Sequence, residues 1–285
     1  MQRTLLSFGH GYSARALGAL LLPQGWRIIG TTRSAEKAEA IAQSGVTPLL
    51  FPGEDIRPAL DGATHLLISA GPTAEGDPVL GALGDEIAAR AGQFDWVGYL
   101  STTGVYGDHQ GGWVDETTPC TPSTRRGQWR VAAEEAWRAI PGLPLHIFRL
   151  AGIYGPGRGP FAKVRNGTAR RIIKEGQVFS RIHVEDIAQV LAASIAQPRP
   201  GAIYNLCDDD PAPPQDVIAF AAELLGLPLP PAVTYDAADM TPMARSFYAE
   251  SKRVRNDLIK SELGVRLRHP DYRTGLQALL AEDPT

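Results

Sequence analysis

Thr4-Leu5-Leu6-Ser7-Phe8-Gly9-His10-Gly11-Tyr12-Ser13-Ala14 decides how the rest of the chain is read. A short apolar run ends at Gly9, and Ala14, Leu17, Leu20 and Leu21 then recur at helical spacing until Pro23 and Gly25 break the pattern. The stretch predicts strand, tight glycine turn and helix, with G-x-G-x-x-A at the junction. The first glycine permits the turn and the second lets the backbone approach a pyrophosphate. Small Ala14 allows close helix-strand packing while the free N–H groups of the helix face an anion. Gly9, Gly11, Tyr12, Ser13 and Ala14 are therefore candidate dinucleotide-binding residues.

Downstream, Trp26 to Thr32 predicts a second strand, Ser34 an N-cap, Ala35 to Gln43 a helix and Gly45 its stop, which completes a βαβ unit. Where an acidic residue would take the ribose 2′-hydroxyl of NAD, this chain has Thr31-Thr32-Arg33-Ser34. A carboxylate would repel a 2′-phosphate, whereas Arg33 offers it a charge-assisted contact. Thr32, Arg33 and Ser34 thus join the candidate site, and NADP(H) is expected over NAD(H). Apolar runs at Thr47 to Phe51, His65 to Ser69, Trp96 to Leu100 and Leu145 to Leu150 alternate with helical patterns or loops. The expected fold class is α/β: a Rossmann-type doubly wound parallel sheet with a smaller interleaved C-terminal lobe. Residues 1–153 are expected to form the dinucleotide-binding core, with 178–205 returning to it. Residues 154–177 and 206–285 are expected to form the smaller, substrate-side lobe. Within them, Phe161 to Lys174, Gln215 to Leu225, Lys252 to Leu263 and Tyr272 to Ala281 read as helices.

The whole composition narrows function by exclusion. The 285 residues are 44% hydrophobic and 21% charged, ordinary globular usage. With 28 Lys+Arg against 31 Asp+Glu the net charge is -3, which leaves no positive surplus for a nucleic-acid backbone or an anionic membrane. The apolar stretch Leu17 to Leu22 is far below the ~18 residues that span a bilayer and has no signal-peptide layout before it, so a cytoplasmic protein is expected. Two cysteines, Cys120 and Cys207, make neither a disulfide framework nor a zinc site. Asp208-Asp209-Asp210 reads as a solvated turn, and no metal is expected.

Several further segments resemble the extended and atypical short-chain dehydrogenase/reductase superfamily, in its NAD-dependent epimerase/dehydratase-like branch. Leu100-Ser101-Thr102-Thr103-Gly104-Val105-Tyr106-Gly107 resembles the fifth-strand signature, Arg149 to Pro156 the sixth-strand loop, and Ile182 to Ala188 the later strand-to-helix entry. Tyr204-Asn205-Leu206 and Gly264 to Gly275 also fit, so the resemblance spans nearly the whole chain. It implies a nicotinamide dinucleotide cofactor, places Ser69, Ala70 and Gly71 along the adenine ribose, and adds Ser101 to the cofactor set. Two family members commonly pair through helices on one side of the fold, which makes a homodimer the default expectation.

The family's chemistry rests on a Ser/Thr and a Tyr-x-x-x-Lys helix. Thr102 matches the hydroxyl, but Arg126-Gly127-Gln128-Trp129-Arg130 falls on the motif, so both its Tyr and its Lys read as arginine. A guanidinium stays protonated and cannot cycle as acid and base. Arg130 can still bond ribose hydroxyls and Arg126 can clamp an anion or oxyanion, while Tyr106, Tyr154 and His183 are the candidates for moving a proton. Dehydration is disfavoured because Thr102 is followed by Thr103-Gly104 instead of an acidic pair. A nucleotide-sugar is disfavoured because Phe179 stands where such enzymes carry a diphosphate-binding Arg. Two readings stay open. One is an oxidoreductase or isomerase of a small anionic metabolite, with Thr102, Arg126 and Arg130 as its catalytic set and a small molecule as its partner. The other is a non-catalytic NADP(H)-binding sensor or regulator. The first is preferred because those three residues would share a concave cofactor cleft.

Overall fold

The computed structural model describes residues 2–282. Its centre is a seven-stranded parallel sheet built from β1 (Thr4–Phe8), β2 (Arg27–Thr32), β3 (Thr47–Leu50), β4 (His65–Ile68), β5 (Trp96–Thr102), β6 (Leu145–Leu150) and β7 (Ile203–Leu206). The strands lie in the order β7-β6-β5-β4-β1-β2-β3, the doubly wound order in which the chain reverses direction between β1 and β4. Neighbouring side chains on each strand serve opposite faces: Leu5, Trp96 and Phe148 pack in one apolar cluster, and Leu6, Val97 and Ile147 in the other. Both faces are covered, which is why the strands read as continuous apolar runs instead of alternating ones.

The principal helices are α1 (Tyr12–Leu21), α2 (Ala35–Gln43), α3 (Pro78–Ala89), α4 (Arg125–Arg138), α5 (Val184–Ala196), α6 (Pro214–Leu224) and α7 (Tyr272–Glu282). The local signals for α2 operate as read: Ser34 Oγ accepts from Lys37 N–H at 3.4 Å, and Gly45 leaves the helix at φ 82°. Tyr154, Phe161, Val217, Ala221, Tyr272 and Leu276 form a third cluster apart from the sheet's two.

Two expected helices are corrected. Phe161–Arg165 is helical, but Asn166 caps it and Gly167 turns away at φ 71°, and Arg171–Ile173 is a strand paired with Ala232–Thr234. Lys252 to Leu263 likewise begins as a strand, Arg253–Val254 paired with Trp113–Val114, and only Asp257–Ser261 is helical. In both places a distant strand partner outcompetes a local helical preference.

Burial holds four histidines, His10, His65, His146 and His183, down at about 4. The ring of His146 is needed neutral, for its Nε2 accepts the Arg199 N–H at 2.7 Å. Since the unfolded chain takes up protons near pH 6.5 that these native rings refuse, their contribution is fully present above that pH. It falls by about 1.4 kcal/mol per pH unit per ring down to pH ~4. Denaturant unfolding at pH 7 and pH 5 is expected to show this loss, and His146→Gln, which keeps an acceptor but does not titrate, is expected to flatten the slope.

Candidate functional site

The glycine loop leaves β1 at the point where the strand order reverses. Gly9 has φ 72°, and a Cβ there would stand 2.9 Å from the Ala70 nitrogen, so only glycine lets the β1 and β4 ends meet. Gly9 N–H donates to Thr31 Oγ1 at 2.8 Å and His10 N–H to the Thr31 carbonyl at 2.9 Å, while Ser69 and Ala70 N–H donate to the Phe8 carbonyl. Gly11 caps α1 without a side chain, and no acidic residue occupies the first turn. The positive end of α1 is therefore open, a cradle that fits a pyrophosphate. Ser13 and Ala14 are buried beneath it. Tyr12 donates to the Pro156 carbonyl at 3.0 Å under the Arg158 guanidinium, which ties the loop to the turn after residue 154.

His10 turns inward, against Gly30 and Gly18, with neither ring nitrogen bonded. At the end of β2, Thr32 is half-buried, Ser34 is committed to its cap, and Arg33 is exposed with no ion-pair partner among the described residues. Gly71 lies under Arg130: a Cβ there would stand 3.3 Å from Nη2. Arg130 Nη1 donates to the Leu100 carbonyl at 2.5 Å and to Tyr99 Oη at 3.3 Å, so this side chain crosses from α4 to the ends of β4 and β5.

Beside this crevice opens a cleft of about 910 Å³, with Thr102, Arg126 and Arg130 all in its lining. Thr102 Oγ1 accepts from Gly104 N–H at 3.1 Å, and Thr124 Oγ1 caps α4 through Gly127 N–H at 3.1 Å. Gly127 is required where it stands: a Cβ would meet Pro122 Cβ at 2.7 Å and the Gly104 carbonyl at 2.8 Å. Close approach at Gly127 therefore sets Arg126 beside the Thr102 turn. The other wall comes from Phe179–Arg181 and from 244–254, and includes a pair the sequence reading missed. Lys252 Nζ lies 2.6 Å from Glu250 Oε2 and donates to the Gly107 carbonyl at 2.7 Å, while Ser123 Oγ donates to Glu250 Oε1 at 2.6 Å. No local motif announces that pair, because its partners at 107 and 123 are far away in the chain.

Behind the cleft, Arg149 on β6 pairs with Glu134 on α4 at 2.8 Å, both side chains only 4% exposed. Ser101 Oγ donates to Glu134 Oε1 at 2.5 Å, Arg149 Nη1 donates to Tyr106 Oη at 3.0 Å, and Tyr106 donates to Asn205 Oδ1 at 2.7 Å. These contacts correct two expectations. The Ser101 hydroxyl is buried in an ion-pair network instead of facing a cofactor, and Tyr106 is fully buried with its phenol pushed up to about 12. His183 caps α5 through Glu185 N–H, is buried and is held neutral, so it carries no transferable proton near pH 7. Tyr154 does line the cleft, but its hydroxyl is turned to the Asp271 carbonyl and burial drives it far above the ordinary phenol range. The Asp208-Asp209-Asp210 turn is also corrected in part. Asp209 and Asp210 pair with Lys260 and Arg273, whereas Asp208 is buried near Arg181 and pushed well above the carboxylate range by burial. Near α5, ligand-type atoms of His183, Glu185 and His269 come within 4.8 Å of one another, with His269 Nε2 3.0 Å from Glu185 Oε2 at the positive end of the helix.

Sheet order and glycine loop together define a Rossmann-type α/β protein, and its structural neighbours are NAD-dependent epimerase/dehydratase-like proteins of the short-chain dehydrogenase/reductase superfamily. The chain belongs to the family of Protein YeeZ of Escherichia coli strain K12, with 30% identity over 277 residues that cover 92% of this chain and 95% of that one. A functionally unknown conserved protein from Silicibacter pomeroyi is 72% identical, with a TM-score of 0.96 and 99% of each chain covered. Human epimerase family protein SDR39U1, solved with NADPH, shares the fold at 16% identity and a TM-score of 0.75, over 98% of this chain and 99% of that one. MoeE5, solved with UDP-glucose and NAD, shares it at 17% identity and a TM-score of 0.74, over 99% and 100%. No protein-family model matches the chain. Among the described residues no helix is long and apolar enough to cross a membrane.

Removing one partner of the buried Arg149–Glu134 pair strands the other charge, at a cost of about 3–5 kcal/mol. Glu134→Ala is expected to lose that much in urea unfolding, far more than Asp61→Ala at the exposed Arg90–Asp61 pair.

Proposed function

We propose that this protein is an NADP(H)-dependent oxidoreductase or isomerase of a small anionic metabolite. The observation that carries the reading is the open, acid-free start of α1 held against the β4 end, one cleft away from Thr102, Arg126 and Arg130. The backbone of Gly9, Gly11, Tyr12 and Ser13 would take the pyrophosphate, with Ala14 keeping the helix close. Thr32, Arg33 and Ser34 would take the 2′-phosphate, and Ser69, Ala70 and Gly71 would lie along the adenine ribose. Bound there, the cofactor supplies a hydride. Arg130 holds ribose hydroxyls, Thr102 orients the reacting oxygen of the substrate, and Arg126 fixes its anionic group and steadies charge that develops on that oxygen. Tyr248 and Lys252 carry protons and face the same cleft, with Glu250 as the acceptor paired to Lys252. The reading places the protein in the cytoplasm, with a homodimer as its default assembly.

A second reading, a non-catalytic NADP(H)-binding sensor, is favoured by Arg126 and Arg130 at the family's Tyr and Lys positions. Its signature is cofactor-dependent association with a partner and no turnover on a panel of carbonyl compounds.

Thermal unfolding with NADPH, NADP+, NADH and NAD+ tests the cofactor reading, because a ligand at ~100 times its Kd stabilises the native state by about 2.7 kcal/mol. The phosphorylated pair is expected to shift the transition most, and Arg33→Ala is expected to erase the difference. No shift with any of the four overturns the reading. If turnover of a reduced carbonyl is found, Thr102→Val is expected to depress it; unchanged turnover would remove Thr102 from the site.

A further inference from the structure

The charges facing the cleft are unevenly matched. Among the described residues in its lining, Glu250 is the single carboxylate, and Lys252 neutralises it at 2.6 Å. Three guanidiniums, those of Arg125, Arg126 and Arg130, have no ion pair among the described residues. Arg125 and Arg126 make no side-chain hydrogen bond or ion pair. Arg130 bonds only the Leu100 carbonyl and Tyr99 Oη, whereas Arg181 bonds the Phe179 and Ala212 carbonyls and is balanced by the nearby buried Asp208. A positive cleft on a chain of net charge -3 is built for an anion.

The remaining lining has a different character. Leu150, Ile153, Val178, Phe179, Phe247 and Tyr248 contribute apolar or aromatic surface, and Phe247 is 60% exposed at the cleft. Two polar groups of the lining are already committed: Ser180 Oγ accepts the Val254 N–H, and Lys252 is held by Glu250 and the Gly107 carbonyl. Sugar hydroxyls laid against Leu150, Ile153, Val178, Phe179 and Phe247 would lose water without replacement bonds, whereas an aromatic or branched apolar body gains contact there.

We propose that the cleft binds an amphipathic acid: a carboxylate gripped by Arg126 with Arg125, on an aromatic or branched apolar body that lies against Phe179, Phe247 and Tyr248. The planar fork of arginine matches a carboxylate bidentately, and the aromatic wall rewards area. This inference deepens the function proposed above, because it names the substrate class of the same cleft.

Isothermal titration calorimetry on the full chain, with and without NADPH, tests it with three probes: 2-naphthoate, its neutral analogue 2-naphthylmethanol, and glucose 6-phosphate. 2-Naphthoate is expected to bind at least about tenfold tighter than either other probe, the worth of one charge-assisted contact. Arg126→Ala is expected to weaken 2-naphthoate about tenfold and leave 2-naphthylmethanol unchanged, and Arg125→Ala/Arg126→Ala to weaken it further. Both arginines are exposed, so melting curves of the variants are expected to match the parent. Equal affinity for 2-naphthoate and its neutral analogue, tighter glucose 6-phosphate binding, or indifference to the double substitution overturns the proposal. If NADPH binds and any of those results is found, this inference alone falls. If NADPH fails to bind while 2-naphthoate binds through Arg126, the cofactor reading falls and this one stands.

Discussion

The buried Arg149–Glu134 pair is the constraint on which the geometry of the cleft depends. One partner sits on β6 and the other on α4, and the network reaches Ser101 on β5, Tyr106 in the following turn and Asn205 on β7. Three adjacent strands and one helix are thereby locked in register behind the cleft. A charge pair taken out of water gains little over an apolar contact, yet it tolerates almost no displacement once its lone pairs are filled. Because α4 is held there, its first turn stands at a fixed place against the Thr102 turn, and Arg126 and Arg130 project where the structure has them. With ~5–15 kcal/mol as the ordinary stability of a domain, the loss of either partner consumes a large share of it.

How much of this the sequence disclosed depended on the range of the interactions. The β1-loop-α1 unit and α2 were legible because each signal is local: apolar spacing, Ser34 before a helix, glycine after one. The parallel sheet covered on both faces followed from alternation of β and α. The strands at Arg171–Ile173 and Arg253–Val254 were not legible, since each exists only through a partner some 60 to 140 residues away. The same reason hid Glu250–Lys252 and misplaced Asp208, whose three-aspartate context reads as solvated although its own side chain is buried. Ser101 read as a cofactor residue and Tyr106 as a proton-transfer candidate, whereas their partners Glu134 and Arg149 give both side chains a structural occupation.

Replacing a Tyr-x-x-x-Lys pair by two arginines exchanges a titrating group for fixed charge. Arg130 keeps the place of the lysine over Gly71 and the β5 end, which is the part of the family's chemistry that concerns holding. In the proposed function Arg126 serves as fixed positive charge instead of a proton shuttle, in a cleft that Arg125 and Arg130 also line. On that proposal the dinucleotide cradle is ordinary for the fold while the cleft beside it is not, a case in which fold and activity have to be argued separately.

A crystal structure of the protein grown with NADPH tests the central claim most directly. The account predicts the pyrophosphate against the backbone N–H groups of Gly11 and Tyr12, the 2′-phosphate within hydrogen-bond reach of Arg33, and the nicotinamide end beside Thr102 and Arg130. A dinucleotide bound elsewhere, or a glycine loop left without ligand at saturating NADPH, would contradict it.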